Sequence, residues 1–328
     1  MITALPDRNM PALTCHYAKL KQESLLHLQG PDALSFLQGQ VTCDTRKLGE
    51  CNSLAGVLCT VQGRVVGDFL LCALAQNHLV LRLRRDIRAA FAAVLGKYIV
   101  FSKAQLEPER EDWQVLACWG PGAAAALLDG FGTLPGEKYG TRVGSGFALL
   151  QTDDAGHQFE CYLQQDTAEN FLQQMAQGMD AGTEADWQAL QIAAGIARIE
   201  AATTGEFIPQ MLNYDVTGHI SFNKGCYTGQ EVVARMHYRG KPKRRLYRAA
   251  VDQSELPAGL QVAAGDPLFG GDSSRAAGNV VNAVATADDQ LVLLVTATAS
   301  GIETGLHLAG LDGPLLRTGP VPYPVPEK

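Results

Sequence analysis

The sequence lacks the signatures of several common chemistries. Its eight cysteines, at 15, 43, 51, 59, 72, 118, 161 and 226, form no C-x-x-C pair, and no Cys/His spacing matches a zinc site. The seven histidines are scattered, without an H-E-x-x-H. No G-x-G-x-x-G follows a strand, because Gly144-Ser145-Gly146 has no third glycine. Neither a G-x-x-x-x-G-K loop nor a G-x-S-x-G elbow occurs. These absences set aside the usual dinucleotide and triphosphate cradles, zinc hydrolysis and the serine-hydrolase elbow.

Long apolar runs are also missing. The most apolar stretches, such as VVGDFLLCALA, are short and interrupted by Asp68, so no membrane span is expected. The start, MITALPDRNMPALT, has neither an apolar signal core nor an Arg-rich amphipathic pattern. A cytoplasmic protein with reduced thiols is the expectation.

What is present is core material. Of 328 residues, 46% are apolar and 19% charged, which suits a globular chain of two or three domains. The formal charge of −7 excludes a polyanion binder as a whole. Locally the balance reverses. From Arg235 to Arg248 there are seven Lys or Arg and no acid, which points to a localised anionic partner or to a solvated linker.

Along the chain, residues 1–20 read as a loose arm, and Ser24–Gln29 as a strand. Gly30-Pro31-Asp32 then opens a helix to about Gln38, with Pro31 at its first position. Leu54–Thr60 and Arg64–Leu74, separated by Gln62-Gly63, predict a hairpin. Leu79–Arg84 adds a strand, and Asp86 caps a helix to about Leu95. A second round follows: a strand over Trp113–Trp119, an Ala-rich helix after Gly120-Pro121, strands near Phe147–Gln151 and Gln158–Leu163, and a helix over Thr167–Gln177. Strand-Gly-Pro-helix thus recurs after 90 residues, from Gly30 to Gly120. Glu184–Ile196 reads as a helix, 197–220 as an irregular connection, and the runs after Leu246 as a small antiparallel barrel or sandwich. The Pro-alternating GPVPYPVPEK reads as an extended tail.

The densest chemistry lies in SFNKGCYTGQEVVARMHYRGKPKRRLYR, residues 221–248. Thr228 and Glu231 have capping-box spacing, so a helix is predicted to about Arg239, ending at Gly240. That places Cys226 just ahead of a helix N-terminus and two residues from Lys224, both of which favour a thiolate. The residues alone leave open a second role, a small apolar cysteine packed in a turn.

KGCYTGQE, with FIPQMLNYDVTGHISF before it and VVARMHYRGKPKRR after it, resembles the signature of the YgfZ-type folate-binding proteins. These belong to the superfamily of the glycine-cleavage T-protein, an aminomethyltransferase. LQGPDALSFLQGQVTCD and KYIVFSK at 97–103 resemble the same family, so the likeness covers most of the chain. It implies an α+β fold: two related ferredoxin-like subdomains and a C-terminal antiparallel β-barrel around a central folate-sized opening. The boundaries would be 1–240 for the folate-binding region and 241–328 for the barrel.

The resemblance implies a tetrahydrofolate-binding protein that supports iron–sulfur cluster assembly or repair and, through cluster enzymes, tRNA modification. Cys226 would be the functional thiol, with Lys224 and Asp68 beside it as catalytic candidates. Two alternatives stand: a folate-dependent aminomethyl or one-carbon transferase, and a non-catalytic folate sensor. Trp187, by itself a core residue of an amphipathic helix, resembles a tryptophan implicated in folate binding. Gln230, Glu231 and Arg235 join it as cofactor-binding candidates. No metal ligand set is assigned. The basic run would hold a polyglutamate tail, an RNA backbone or an acidic iron–sulfur partner. The sequence departs from the T-proteins in three ways: Ala193 replaces their pterin-binding glutamate, Gly67-Asp68 replaces an Asp-Asp pair, and Cys226 replaces an acid.

Overall fold

The computed structural model describes residues 14–175, 178–270 and 273–326. The architecture is mixed α+β, with two sheets of ferredoxin-like size, antiparallel except for the edge strand Asp180–Ala181, and a closed six-stranded barrel. The five-stranded sheet runs Leu54–Cys59, Val65–Ala75, His78–Arg84, Glu23–Gln29 and Gln105–Glu107 in spatial order. The six-stranded sheet runs Asp180–Ala181, His16–Lys19, Trp113–Trp119, Gln158–Gln164, Phe147–Gln151 and Thr141–Gly144.

Side chains alternate between two buried faces along these strands. The inner faces of the two sheets meet through Leu25, Cys72 and Val80 of one and Val115, Ala117, Ala148, Leu150 and Tyr162 of the other. Each outer face carries its own helices: Ala33–Gln38 and Arg88–Gly96 on the first sheet, Ala123–Phe131 and Gln165–Met175 on the second. The two units repeat the same local device. Gly30 and Gly120 both follow a central strand with positive φ, 130° and 113°, and their carbonyls accept from Ala33 and Ala123 to start the helix.

Part of the N-terminal arm is ordered: His16–Lys19 pairs with Trp113–Trp119, because Cys15 and Ala18, on opposite faces, each have a core to enter. Asp86 does not cap a helix. Its carboxylate meets Arg84 and the amide of Ala201, and a 3-10 turn over Arg85–Ile87 precedes the helix instead. The barrel strands are Arg245–Asp252, Gln290–Ala297, Ser273–Ala285, Pro267–Gly270, Leu306–Leu308 and Leu315–Gly319. The last pairs back onto the first, Arg248 opposite Gly319, which removes the free edge.

The Pro-alternating end does not hang free over its described part, up to Pro326. Val321 is buried, Tyr323 Oη donates to the carbonyl of Gly195 at 2.8 Å, and Arg248 Nε donates to that of Pro320 at 2.9 Å. No helix among the described residues is long and apolar enough to cross a membrane.

Candidate functional site

The cysteine loop is strapped down on both sides of the thiol. Lys224, buried, donates through Nζ to the carbonyls of Gln38, Val41 and Cys43 at 2.8, 2.6 and 2.7 Å. Burial pushes its ammonium down to about 8. An ammonium has three donors, and all three are spent on main-chain oxygens, so none remains for the sulfur of Cys226. Lys224 therefore builds the loop. Tyr227 is buried beneath its ammonium, 5.2 Å from Nζ to the ring centre. Between these two anchors Gly225 and Cys226 are exposed, outside any disulfide.

The helix after the loop spans Gln230–Arg239 and stops at Gly240, as its sequence predicts, but the capping box is not formed. The N-cap is Gly229 at φ +82°, where a Cβ would lie 2.4 Å from the carbonyl oxygen of Thr60. Thr228 instead donates through Oγ1 to Gln40 Oε1 at 3.3 Å. Close packing on the 60–63 hairpin turn thus takes priority over a side-chain cap. Gln230 is half-buried, while Glu231 and Arg235 are exposed.

Asp68 and Trp187 belong to a second cluster, at the junction of the two sheets and the barrel. Asp68 is buried. It accepts from Arg198 Nε at 2.6 Å and from the amide of Ile199 at 2.7 Å. Arg198 also forks onto Glu23 at 2.8 and 3.0 Å. Burial alone would raise the Glu23 carboxyl, but Arg198 and Arg82 outweigh it and hold the group below its usual range. Arg82 Nε reaches Glu160 at 2.8 Å, joining the two sheets, and Tyr162 Oη donates to the same carboxylate at 3.0 Å. The barrel enters through Asn282. Its Oδ1 accepts from the Arg198 amide, and its Nδ2 donates to the Arg198 carbonyl and to Glu200.

Trp187 is 3% exposed and lies 6.0 Å from Trp119, so it is a core residue with one edge on this junction. It borders a cavity of about 40 Å³ with Arg84, Gln188, Gln191, Arg198 and Glu200. The two clusters are linked through Val57. Val57 pairs with Asp68, its carbonyl takes the Thr42 amide, and the Thr42 carbonyl takes the amide of Ser221 at the head of the cysteine loop. Glu23, Arg82, Glu160 and Arg198 were not predicted. Arg82 in HLVLRLR and Glu160 in QFECYLQ are charges at strand positions, and that is the signal that could have found them. Among the described residues no group of three or more His, Cys, Asp or Glu side chains is placed to hold a metal ion.

Two facing sheets with outer helices, joined to a closed barrel, are the fold of the glycine-cleavage T-protein class. Residues 19–133 match the GCVT N-terminal domain family. The fold agrees with that of glycine cleavage system aminomethyltransferase T from Bartonella henselae, at a TM-score of 0.72 and 19% identity over 94% of this chain and 85% of that one. Within the class, the chain is 32% identical over 305 residues to the tRNA-modifying protein YgfZ of Escherichia coli O7:K1, covering 93% of this chain and 92% of the other. Identity to YgfZ of Cronobacter sakazakii is 33% over 306 residues, covering 92% and 91%. The chain belongs to the YgfZ family.

Proposed function

We propose that this protein binds tetrahydrofolate at the three-way junction and supports tRNA modification by helping to assemble or repair the iron–sulfur clusters of the modifying enzymes, with Cys226 as the working thiol. The observation that carries this reading is the exposed Cys226 held between two buried anchors, Lys224 and Tyr227. An accessible thiol on a fixed loop suits ligation of iron in a client cluster or transient acceptance of sulfur. The name of these relatives, tRNA-modifying protein, supports the biological setting.

The chemistry of the junction's donor set fits a pterin. Trp187 offers an aromatic edge, Gln188 and Gln191 offer amides, and Glu200 offers a carboxylate for an amino-pyrimidine. The open space is about 40 Å³, so Gln188 and Gln191, both half-exposed, would swing outward to admit the ring. Tetrahydrofolate, when bound, supplies one-carbon or reducing chemistry. The chain's own residues bind the ring, exclude water around Arg198 and present the thiol. Asp68, already engaged by Arg198 and Ile199, favours this reading over an aminomethyl transferase in which it would serve as a base.

The test is a calorimetric titration of tetrahydrofolate alongside complementation of a deletion strain. Trp187→Phe should weaken binding by about 1 kcal/mol, taking aromatic stacking on bases as the guide. Cys226→Ser should bind folate normally and fail to restore tRNA modification. A fully active serine variant would remove the thiol from the function, and unchanged affinity in Trp187→Phe would remove the tryptophan from the site.

A further inference from the structure

A second cavity lies away from this junction and is far larger. It is a groove of about 1060 Å³ between the helix Gln230–Arg239, the basic linker, the barrel edge at Ala297–Ala299 and the terminal segment 320–326. That is the size range of pockets that take a small organic molecule. Its walls are mainly apolar, with Met236, Leu246, Val321 and Val325 among them.

Three features give the groove a chemical preference. First, one wall is pre-organised. Prolines at 320, 322, 324 and 326 fix the backbone, and Tyr323 and Arg248 pin the segment to the body. Second, the floor is fixed. Gln210, 1% exposed, donates through Nε2 to the Val233 carbonyl, which ties the floor to the helix Gln230–Arg239. Third, the rim is cationic. Lys241 and Lys243 are exposed, and among the described residues neither has a carboxylate partner. The lining's one acid, Asp215, is occupied by Arg245 at 2.7 Å.

From these features we infer that the groove between the basic linker and the proline segment binds an amphipathic organic anion: an apolar or aromatic body with one terminal acidic group at Lys241 and Lys243. This explains why cations sit on the lip of an apolar groove, an arrangement a solvated linker does not need. It is independent of folate binding at Trp187.

Anilinonaphthalene sulfonate is a suitable probe, because phenylnaphthylamine is nearly the same body without the acid. The full chain should bind one sulfonate saturably. K241E/K243E, two exposed changes that leave the fold alone, should weaken the sulfonate by about tenfold or more and leave the neutral amine unaffected. Val325→Trp should displace both probes, with the thermal melt confirming a folded variant. Absence of saturable one-to-one binding would overturn the proposal. So would an affinity that ignores K241E/K243E, or binding that survives a folded Val325→Trp.

Discussion

Lys224 Nζ donates to the main-chain carbonyl of Val41 at 2.6 Å across 183 residues of sequence. With the bonds to Gln38 and Cys43, this one ammonium ties the cysteine loop to the turn after the helix Ala33–Gln38. Lys224→Met should strand three carbonyls and destabilise the protein by about 2–4 kcal/mol. Lys224→Arg should recover little, because a planar fork cannot reach three converging oxygens. Urea unfolding of the two variants checks this.

Thiol accessibility divides the cysteines sharply. Brief iodoacetamide treatment of native protein should modify Cys51 and Cys226 and spare the six buried thiols, as read by peptide mass spectrometry. In Cys226→Ser only Cys51 should react, with stability within about 0.5 kcal/mol of the parent. Equal labelling of Cys43 or Cys59 would contradict the packing described.

The buried arginine at the junction should be the most damaging single loss. Arg198→Met leaves the Glu23 and Asp68 carboxylates without their shared cation and should cost about 3–5 kcal/mol. Part of that loss should be recovered at low pH, where the stranded carboxylates can be protonated. Asn282→Ala, which removes the barrel's bonds to Arg198 and Glu200, should cost about 2 kcal/mol. Denaturation curves at two pH values test both.

Acid sensitivity follows from a buried histidine. His219, stacked on Tyr214, is pushed down by burial from 6.5 to about 4. Below about pH 6.5 the unfolded chain takes up a proton that the folded chain refuses. Its contribution is therefore complete above that pH and is lost as pH falls toward 4, by about 3 kcal/mol. His219→Gln should flatten the stability profile in this window. An unchanged slope would assign the acid transition to other groups, His27 foremost, which burial pushes to about 3.

The strand and helix pattern was legible wherever hydrophobic alternation met a turn signal. Trp113–Trp119 and Phe147–Gln151 fall where the sequence places them, and the Gly30/Gly120 repeat corresponds to two related units. The junction was not legible, because Glu23 and Arg198 lie 175 residues apart and their pairing depends on how two sheets and a barrel stack. The cap at Thr228 failed for a similar reason: local spacing could not foresee the Thr60 carbonyl pressed against Gly229. Trp187 is a core residue, as its amphipathic helix predicts, buried against Trp119 with one edge on a cavity.

The barrel closes with Leu315–Gly319 on Arg245–Asp252, and that seam has a consequence for biogenesis. On the ribosome, the strand Arg245–Asp252 emerges some seventy residues before its closing partner, a count that follows from positions 248 and 319. Until then its outer backbone groups can recruit a neighbouring nascent chain. The basic residues just ahead of that strand repel a like-charged copy during the wait. A message truncated before codon 315 would release a chain with a permanently open seam and no proline wall, a natural substrate for quality-control proteases.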